Sequence, residues 1–130
     1  MAILVHGTTR QRAKKMLVEG PDPDFREPFP SSGEGAVARA ESFSTYLESG
    51  PFSLSPPEEY ARHKAALFPD EGGPVILKVD VPDDIIALAV DEVYFPLSQG
   101  VVQFDEGEGL EELRSVWPTL PKQIVPVEGQ

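Results

Sequence analysis

The first twenty residues place a predicted strand directly before a predicted helix, with very few residues between them. An apolar run of β-forming residues predicts a strand over residues 2–6. Apolar side chains then recur at the spacing of one helix face over residues 10–19, and Thr8 or Thr9 is a suitable N-cap. Gly20-Pro21 is a helix stop, because glycine favours the position past a helix end and proline cannot continue the helix.

Residues 21–57 are the least regular part of the chain. Prolines and a polar stretch of serine, glycine and glutamate interrupt every periodic pattern there. A segment of this length without regular structure is unusual in a compact domain, and such segments tend to be functional or mobile. Within it, residues 36–47 have apolar spacing that fits a helix, whereas residues 42–46 fit the start of a strand equally well.

The second half of the chain contains one strong helix start and one clear strand. Ser55 is followed by two prolines and by Glu58, a pattern that predicts a capping box with Ser55 as N-cap of a helix ending at Pro69. Residues 74–81 alternate apolar side chains as a half-buried strand does. Further predictions are short strands at 85–90, 93–95 and 100–104, an acidic turn at 105–109, a helix at 110–117, and a last strand at 122–127 whose alternative is an extended tail over 118–130.

The order of these elements predicts the fold class. Strict alternation of strand and helix, which a doubly wound fold requires, is missing. A strand, a helix, an irregular segment and a helix are followed by several strands and a late helix. We therefore expect an α+β fold with a mixed or mostly antiparallel sheet and a few short helices. The 130 residues fit a single domain, 1–130, long enough to bury one core.

Composition excludes several classes of function. The chain has no cysteine, which excludes disulfides, thiolate catalysis and cysteine-ligated zinc. No apolar run approaches the roughly 20 residues that a membrane-spanning helix needs. No secretory signal is recognisable at the N-terminus, so we expect a cytoplasmic location without a membrane partner.

The chain is strongly acidic, with a formal net charge of -11. Such a charge repels nucleic-acid phosphates and anionic membranes, so neither is an expected partner. A basic protein is the complementary partner. Four of the eleven cations are nevertheless close together, namely Arg10, Arg12, Lys14 and Lys15. They form either a solvated helix face, which is the commoner case, or a local anion site for a phosphate-bearing small molecule.

The chain contains neither a phosphate-binding loop motif nor a nucleophile-elbow motif, and no spacing indicates a metal site. Its two histidines are His6 and His63. His63 lies in a predicted helix between two cations, as a solvated side chain would. His6 lies in a predicted strand end beside Gly7, where a ligand can approach the backbone closely. Without further evidence, His6 either contacts a small molecule or fills the end of the sheet.

Val5-His6-Gly7-Thr8-Thr9, followed by a helix that ends at Gly20, resembles the opening of ADP-ribosyltransferase-fold proteins. These include the diphtheria-toxin-like and poly-ADP-ribose polymerase branch and the tRNA 2′-phosphotransferases. In that branch a later strand reads approximately glycine–x–tyrosine–phenylalanine–serine. Gly50 to Ser55 resembles it, with Phe52 where the family has tyrosine. The resemblance extends over roughly residues 2–104.

The resemblance implies a split sheet and NAD as substrate, with no metal. His6 would hydrogen-bond the ribose 2′-hydroxyl, and Gly7 would offer its backbone N–H and C=O to the nicotinamide amide. Thr8 would contact the ligand or cap the helix. Glu92, matched by strand order to a glutamate that opens a late strand in the family, would stabilise the positive charge of an oxocarbenium-like state; Asp91, Glu106 and Glu108 are the alternatives. Catalytic roles are therefore expected for His6 and Glu92.

The remaining implied contacts involve the anionic and aromatic parts of NAD. Arg10 or Arg12 would pair with the pyrophosphate, since arginine offers a bidentate fork. Phe52 would stack on the nicotinamide ring, with Tyr46 or Tyr60 as the alternative aromatic, and Ser53 lies beside Phe52. The implied reaction is transfer of ADP-ribose, to a protein acceptor for example, or hydrolysis of NAD. The alternative is a binding domain that keeps the fold without the chemistry and acts on a basic protein partner.

Overall fold

A computed structural model describes residues 1–22, 26–27, 39–40, 43–50, 54–92, 100–104 and 107–128. Within these residues the helices and strands are β1 (Ala2–Thr9), α1 (Arg10–Glu19), β2 (Arg26–Glu27), β3 (Arg39–Ala40), β4 (Phe43–Leu47), α2 (Ser55–Leu67), β5 (Pro74–Val81), α3 (Asp83–Glu92), β6 (Val101–Phe104), α4 (Glu108–Val116) and β7 (Lys122–Pro126). Short 3-10 turns follow α2 at Pro69–Glu71 and α4 at Trp117–Thr119.

Five of the strands form one antiparallel sheet in the order β6-β4-β1-β5-β7, and β2 pairs with β3 separately. The prediction of a single-domain α+β fold is confirmed, and the sheet is antiparallel rather than mixed. The split sheet that the resemblance implies stays a prediction. β1 pairs with its two neighbouring strands over different lengths. β1 pairs with β5 from Ala2↔Val81 to Thr9↔Pro74, but with β4 only at Leu4↔Leu47 and Val5↔Tyr46.

The two faces of the sheet are covered by different helices. On the first face, which we call the main face, Leu4 and Leu77 pack in the larger core together with side chains of α1, α3 and α4. On the opposite face, which we call the α2 face, Val5 and Ile76 pack against Ala61 of α2. Alternation along each strand sends neighbouring residues to opposite faces, so burial on both sides fixes the register.

Both ends of α1 agree with the sequence prediction. The Thr9 hydroxyl accepts a hydrogen bond from the Arg12 N–H at 3.4 Å, so Thr9 is the N-cap. Gly20 has φ of 81° and donates its N–H to the Met16 carbonyl at 2.8 Å. This left-handed φ is one that glycine adopts without the steric cost of a Cβ.

The start of α2 differs from the predicted capping box. Leu54, rather than Ser55, is the N-cap; its backbone is already helical, and its carbonyl accepts the Glu58 N–H at 2.9 Å. Ser55 therefore lies inside the first turn, where its side chain is exposed and makes no cap hydrogen bond. The helix ends at Leu67, before Pro69 as expected.

The predicted strand over residues 85–90 is wrong, because this segment is the middle of α3. Pro82 precedes the helix, and its carbonyl accepts the N–H groups of both Ile85 and Ile86 at 3.1 and 3.2 Å. Ile85, Ile86 and Ala89 are all buried in the main core, which is the spacing of one helix face. A short apolar run does not distinguish such a helix from a buried strand.

Other predictions are resolved segment by segment. Residues 43–47 form β4, so the strand alternative holds for this part of residues 36–47; the rest lies largely outside the described residues. Residues 122–126 form β7, which is the strand alternative to an extended tail. The strand predicted at 93–95 lies outside the described residues. None of the described helices is both long and apolar enough to cross a bilayer.

Candidate functional site

The pairing of β1 with β4 changes character at His6. The paired register covers Leu4 and Val5 of β1, and His6 is the next residue along the strand. There the imidazole Nδ1 hydrogen-bonds the carbonyl oxygen of Ser44 on β4 at 2.7 Å. A side chain therefore bridges the two strands where the backbone ladder among the described residues stops. Since a carbonyl only accepts, Nδ1 is the donor, and Nε2 of the neutral ring is an acceptor.

His6 lies on the main face, where it is 5% exposed and contacts the ring of Phe43. The two ring centroids are 4.9 Å apart, and the planes are tilted by 47°. Phe43 in turn meets Trp117 edge-on at 5.9 Å. Such tilted and edge-on contacts are the arrangements that aromatic quadrupoles favour. The histidine is thus fixed by one hydrogen bond and one ring contact at the boundary of the main core.

α2 approaches β1 closely at Gly7. A Cβ atom at this position would overlap the Pro57 carbonyl oxygen and lie 3.1 Å from the Ala61 nitrogen. The absence of a side chain therefore lets α2 pack against the strand. The backbone groups of Gly7 point elsewhere. Arg10 N–H bonds the Gly73 carbonyl at 3.0 Å, so alternation turns the Gly7 N–H and C=O away from β5 and toward β4.

Thr8 follows on the main face and is fully buried. Its Oγ1 has no hydrogen-bond partner among the described residues. A buried hydroxyl in this state costs roughly 1–3 kcal/mol, so it calls for an explanation. The predicted helix cap is not that explanation, because Thr9 caps α1. Thr8 therefore presents a polar atom, two residues from His6 and on the same face of β1.

A small pocket of about 40 Å³ opens beside Phe43, between the last turn of α1 and residues 21–22. Met16 lines it as an apolar side chain, and Arg12 and Lys15 line it as cations. Asp22 lines it as well, so the pocket combines an aromatic surface with two cations and one carboxylate. Arg12, one of the two arginines predicted to bind an anion, reaches this pocket.

Arg12 is held in place by a buried network. Its side chain is 6% exposed, and its Nε donates to Glu71 Oε1 at 2.8 Å. The same oxygen accepts the Thr9 hydroxyl at 2.8 Å. The guanidinium lies 4.2 Å from the centroid of the Phe68 ring. A carboxylate and an aromatic ring therefore fix Arg12 from one side, as arginine's planar, delocalised charge permits.

The other predicted residues lie apart from this pocket or outside the described residues. Arg10 packs its side chain near Gly72, where a Cβ would lie 3.1 Å from the Arg10 Cβ. Glu92 is the last residue of α3 rather than the first of a strand, and its side chain is not described. Phe52 and Ser53 lie outside the described residues.

Phe43 is the site residue that the sequence pattern does not single out. It lies within the segment whose apolar spacing fits a helix and a strand equally well. In the structure Phe43, Thr45 and Leu47 alternate along β4, and the register Leu4↔Leu47 places them on the same face as His6. The signal in the sequence is this alternation, which becomes interpretable once the segment is known to be a strand.

Tyr46 lies on the α2 face of β4. Burial, and secondarily the proximity of Tyr60 on α2, raise the pKa of Tyr46 above its ordinary value.

Among the described residues, no group of three His, Asp or Glu side chains is placed to hold a metal ion.

No protein-family model, curated protein or solved structure matches this chain significantly. The arrangement of His6, Gly7, Thr8 and Phe43 therefore has to be interpreted from its own geometry.

Proposed function

We propose that the protein binds NAD, with the nicotinamide end between β1 and β4 at His6 and Gly7. The observation that carries this proposal is the direction of the Gly7 backbone. Its N–H and C=O point toward β4 just where the described β1–β4 register has ended. A primary amide such as that of nicotinamide offers one acceptor and two donors, which is the complement of a backbone N–H and C=O.

His6 and Thr8 supply polar atoms beside this position. With Nδ1 donating to Ser44, a ring that carries one proton accepts at Nε2, which suits a ribose hydroxyl as donor. The Thr8 hydroxyl is buried, has no partner among the described residues, and lies on the same face. A ligand hydroxyl or amide there would remove the cost of that buried group. In this proposal Phe43, rather than Phe52, is the aromatic side chain nearest to the nicotinamide.

The pocket beside Phe43 gives a place for the anionic part of the ligand. Arg12 and Lys15 line it together with Asp22. Glu71 fixes the arginine from behind, which leaves Lys15 as the cation to pair with a phosphate. Its volume of about 40 Å³ is far below the roughly 300–1,000 Å³ of a typical ligand pocket. Binding therefore requires the pocket to widen. Met16 in its lining is the side chain best suited to this, because methionine is unbranched and readily repacked.

The proposed reaction is transfer of ADP-ribose or hydrolysis of NAD, with Glu92 as the carboxylate that stabilises positive charge as the glycosidic bond breaks. The placement of Glu92 at the end of α3 gives no independent support for this step. Binding and catalysis are therefore separate claims with separate tests. The alternative is a binding domain that acts on a basic protein partner without turning over NAD.

Binding is tested by titrating NAD into the wild-type protein and into His6→Ala and His63→Ala in a calorimeter. His63 is exposed on α2, so His63→Ala is the matched control. We expect His6→Ala to lose binding at least about tenfold, and His63→Ala to bind like the wild type. Circular dichroism and urea unfolding establish that His6→Ala is folded. Absence of heat with the folded wild type would exclude the NAD site.

Catalysis is tested by measuring nicotinamide released from NAD. Glu92→Gln is expected to abolish release while keeping NAD affinity, whereas Glu112→Gln, an exposed carboxylate of α4, should leave release unchanged. NAD binding without nicotinamide release from the wild type would select the non-catalytic alternative. Equal release by Glu92→Gln and the wild type would exclude Glu92 as the catalytic carboxylate.

A further inference from the structure

β7 is the last described strand in the sheet order. The pattern of its hydrogen bonds with β5 identifies which of its backbone groups point away from β5. Asp80 N–H bonds the Pro121 carbonyl at 3.0 Å, and Val127 N–H bonds the Pro74 carbonyl at 3.1 Å. Both continue the directly opposed pairs of the β5–β7 register. In an antiparallel pair such residues alternate with residues whose N–H and C=O point the other way. Along β7, Lys122 and Ile124 therefore direct their backbone groups away from β5.

The backbone N–H and C=O groups of β7 that point away from β5 can pair with a short extended chain. Lys122 and Ile124 each offer an N–H and a C=O, and Pro126 offers a C=O only. The spacing of donors and acceptors is that of a sheet ladder, so an added strand of about five residues would be satisfied along β7. Pro126 ends this edge, as prolines do in edge strands.

A groove on the α2 face follows the same strand. It lies between α2 and β7, has a volume of about 260 Å³, and has an apolar floor that includes Ile76, Val125 and Val127. Val125 and Val127 are partly exposed in it. A strand paired with β7 places every second side chain on this face, beside Val125 and Val127. Apolar side chains at these alternate positions would extend the apolar floor.

The charges along this face favour a cationic occupant. Lys78 is paired with Glu48 at 2.6 Å, and Arg62 with Glu58 at 3.3 Å. Lys122, at the start of the strand, turns its Nζ to the Trp117 and Leu120 carbonyls on the main face. Two further residues line this side, Asp80 and Glu128, and their carboxylates make its local charge negative. A formal net charge of -11 adds long-range attraction for a basic partner and repulsion between two copies of this chain.

We propose that β7 receives an extended segment of a partner protein as a sixth strand, whose side chains on the α2 face are apolar beside Val125 and Val127 and basic at the two ends, beside Asp80 and Glu128. Backbone hydrogen bonds to Lys122 and Ile124 supply the pairing, the groove at Val125 and Val127 takes the apolar side chains, and Asp80 and Glu128 select for positive charge. This surface lies on the α2 face and the sheet edge, away from the main-face pocket at Phe43. It is independent of NAD binding.

The probe is a short fluorescent peptide with threonine at every second position and lysine, valine, valine and lysine at the others, so that lysines and valines share one face. The comparison peptide has glutamate in place of both lysines. Fluorescence anisotropy should show saturable binding of the lysine peptide, at least about tenfold tighter than the glutamate peptide. Amide hydrogen exchange should slow at Lys122 and Ile124 on binding. The Gln123 and Val125 amides, which point toward β5, should change little.

The matched variants are Ile124→Pro and Ile124→Ala. Both remove the packing of the Ile124 side chain, but only proline removes the outward N–H. We expect Ile124→Ala to bind within about threefold of the wild type, and Ile124→Pro to bind at least about tenfold more weakly. Asp80→Lys should weaken the lysine peptide, whereas Glu112→Lys on α4 should leave it unchanged beyond the effect of net charge.

Several outcomes would overturn the proposal. These are no binding of the lysine peptide, equal binding of both peptides, equal effects of Ile124→Pro and Ile124→Ala, or unchanged exchange at Lys122 and Ile124 in the complex. The exchange measurement uses the wild type, so it decides the matter even if Ile124→Pro fails to fold. A doubled mass of the free protein in light scattering, with Lys122 and Ile124 amides already protected, would assign the edge to a second copy instead.

Discussion

Gly7 and Pro57 are in contact across the interface between β1 and α2, with the Pro57 carbonyl oxygen in the space that a side chain on Gly7 would fill. This contact sets the distance between the helix and the sheet. It lets Ala61, one turn further along α2, bury itself completely against the same strand. The glycine predicted to admit a ligand thus has a packing role on one face, while its peptide groups point along the plane of the sheet.

Gly7→Ala is expected to destabilise the protein by about 3 kcal/mol or more, because the backbone of α2 must move to accept the methyl group. Gly73→Ala is the control. Gly73 has φ of 91°, and a Cβ added there would have nothing within 4 Å, so it reports backbone strain of about 1–2 kcal/mol without a clash. Urea unfolding measures both. An equal loss in the two variants would contradict a steric role of Gly7.

Thr8→Val is expected to stabilise the free protein by about 1 kcal/mol. Valine has nearly the shape of threonine, and the substitution removes a buried hydroxyl without a described partner. Thermal unfolding with and without NAD measures the effect. If Thr8 contacts NAD, the variant gains stability alone but loses part of the stabilisation by NAD. A less stable free variant would indicate that the hydroxyl has a partner in solution.

Glu71→Gln is expected to cost about 2–4 kcal/mol, because it removes the carboxylate charge that pairs with the buried Arg12 guanidinium at 2.8 Å. The control is Glu58→Gln, which breaks the more exposed pair with Arg62 and should cost less than about 1 kcal/mol. A double-mutant cycle with Arg12→Met isolates the coupling, expected at about 1–3 kcal/mol. Additive losses in that cycle would show that Glu71 acts independently of Arg12.

Lys122 predicts a specific pH dependence of stability. Burial lowers the pKa of Lys122 below its ordinary value of 10.5. Between the lowered pKa and 10.5 the unfolded chain binds more protons than the folded one, so this group makes stability rise with pH in that window. Lys122→Met removes this contribution, whereas Tyr46, whose pKa is raised, is present in both proteins. Urea unfolding of both proteins across the window measures the difference, and parallel pH profiles would contradict the prediction.

The sequence predicts α1 and β5 correctly, and β1 as far as His6, because each carries a signal that is local; β1 continues to Thr9, so His6 and Gly7 lie inside the strand rather than at its end. Apolar alternation, a threonine cap and the Gly20-Pro21 stop act within a few residues of one another. The helix at residues 85–90 is not predicted because its deciding signal is not local. Its apolar run is too short to show a period, and what decides the helix is the docking of Ile85 and Ile86 into the main core.

The candidate site is predictable only in part. His6, Gly7 and Thr8 are consecutive in the chain, so the sequence places them together. The meeting of His6 with Phe43 depends instead on the pairing of β1 with β4, which are far apart in the sequence, and no local pattern shows it. The network of Arg12 with Glu71 depends likewise on a turn that precedes β5.

β1 comes first along this chain yet lies in the middle of the five-stranded sheet. One of its neighbours, β4, begins at Phe43. The other neighbour, β5 (Pro74–Val81), forms the longer pairing with β1. During synthesis, the apolar residues of β1 therefore cannot be buried in the sheet until more than half of the chain has been made. Loop closure over such distances must precede any gain from pairing, so folding is expected to be slow for a protein of this size. The interval before β5 arrives is the time when the nascent chain depends most on protection from aggregation.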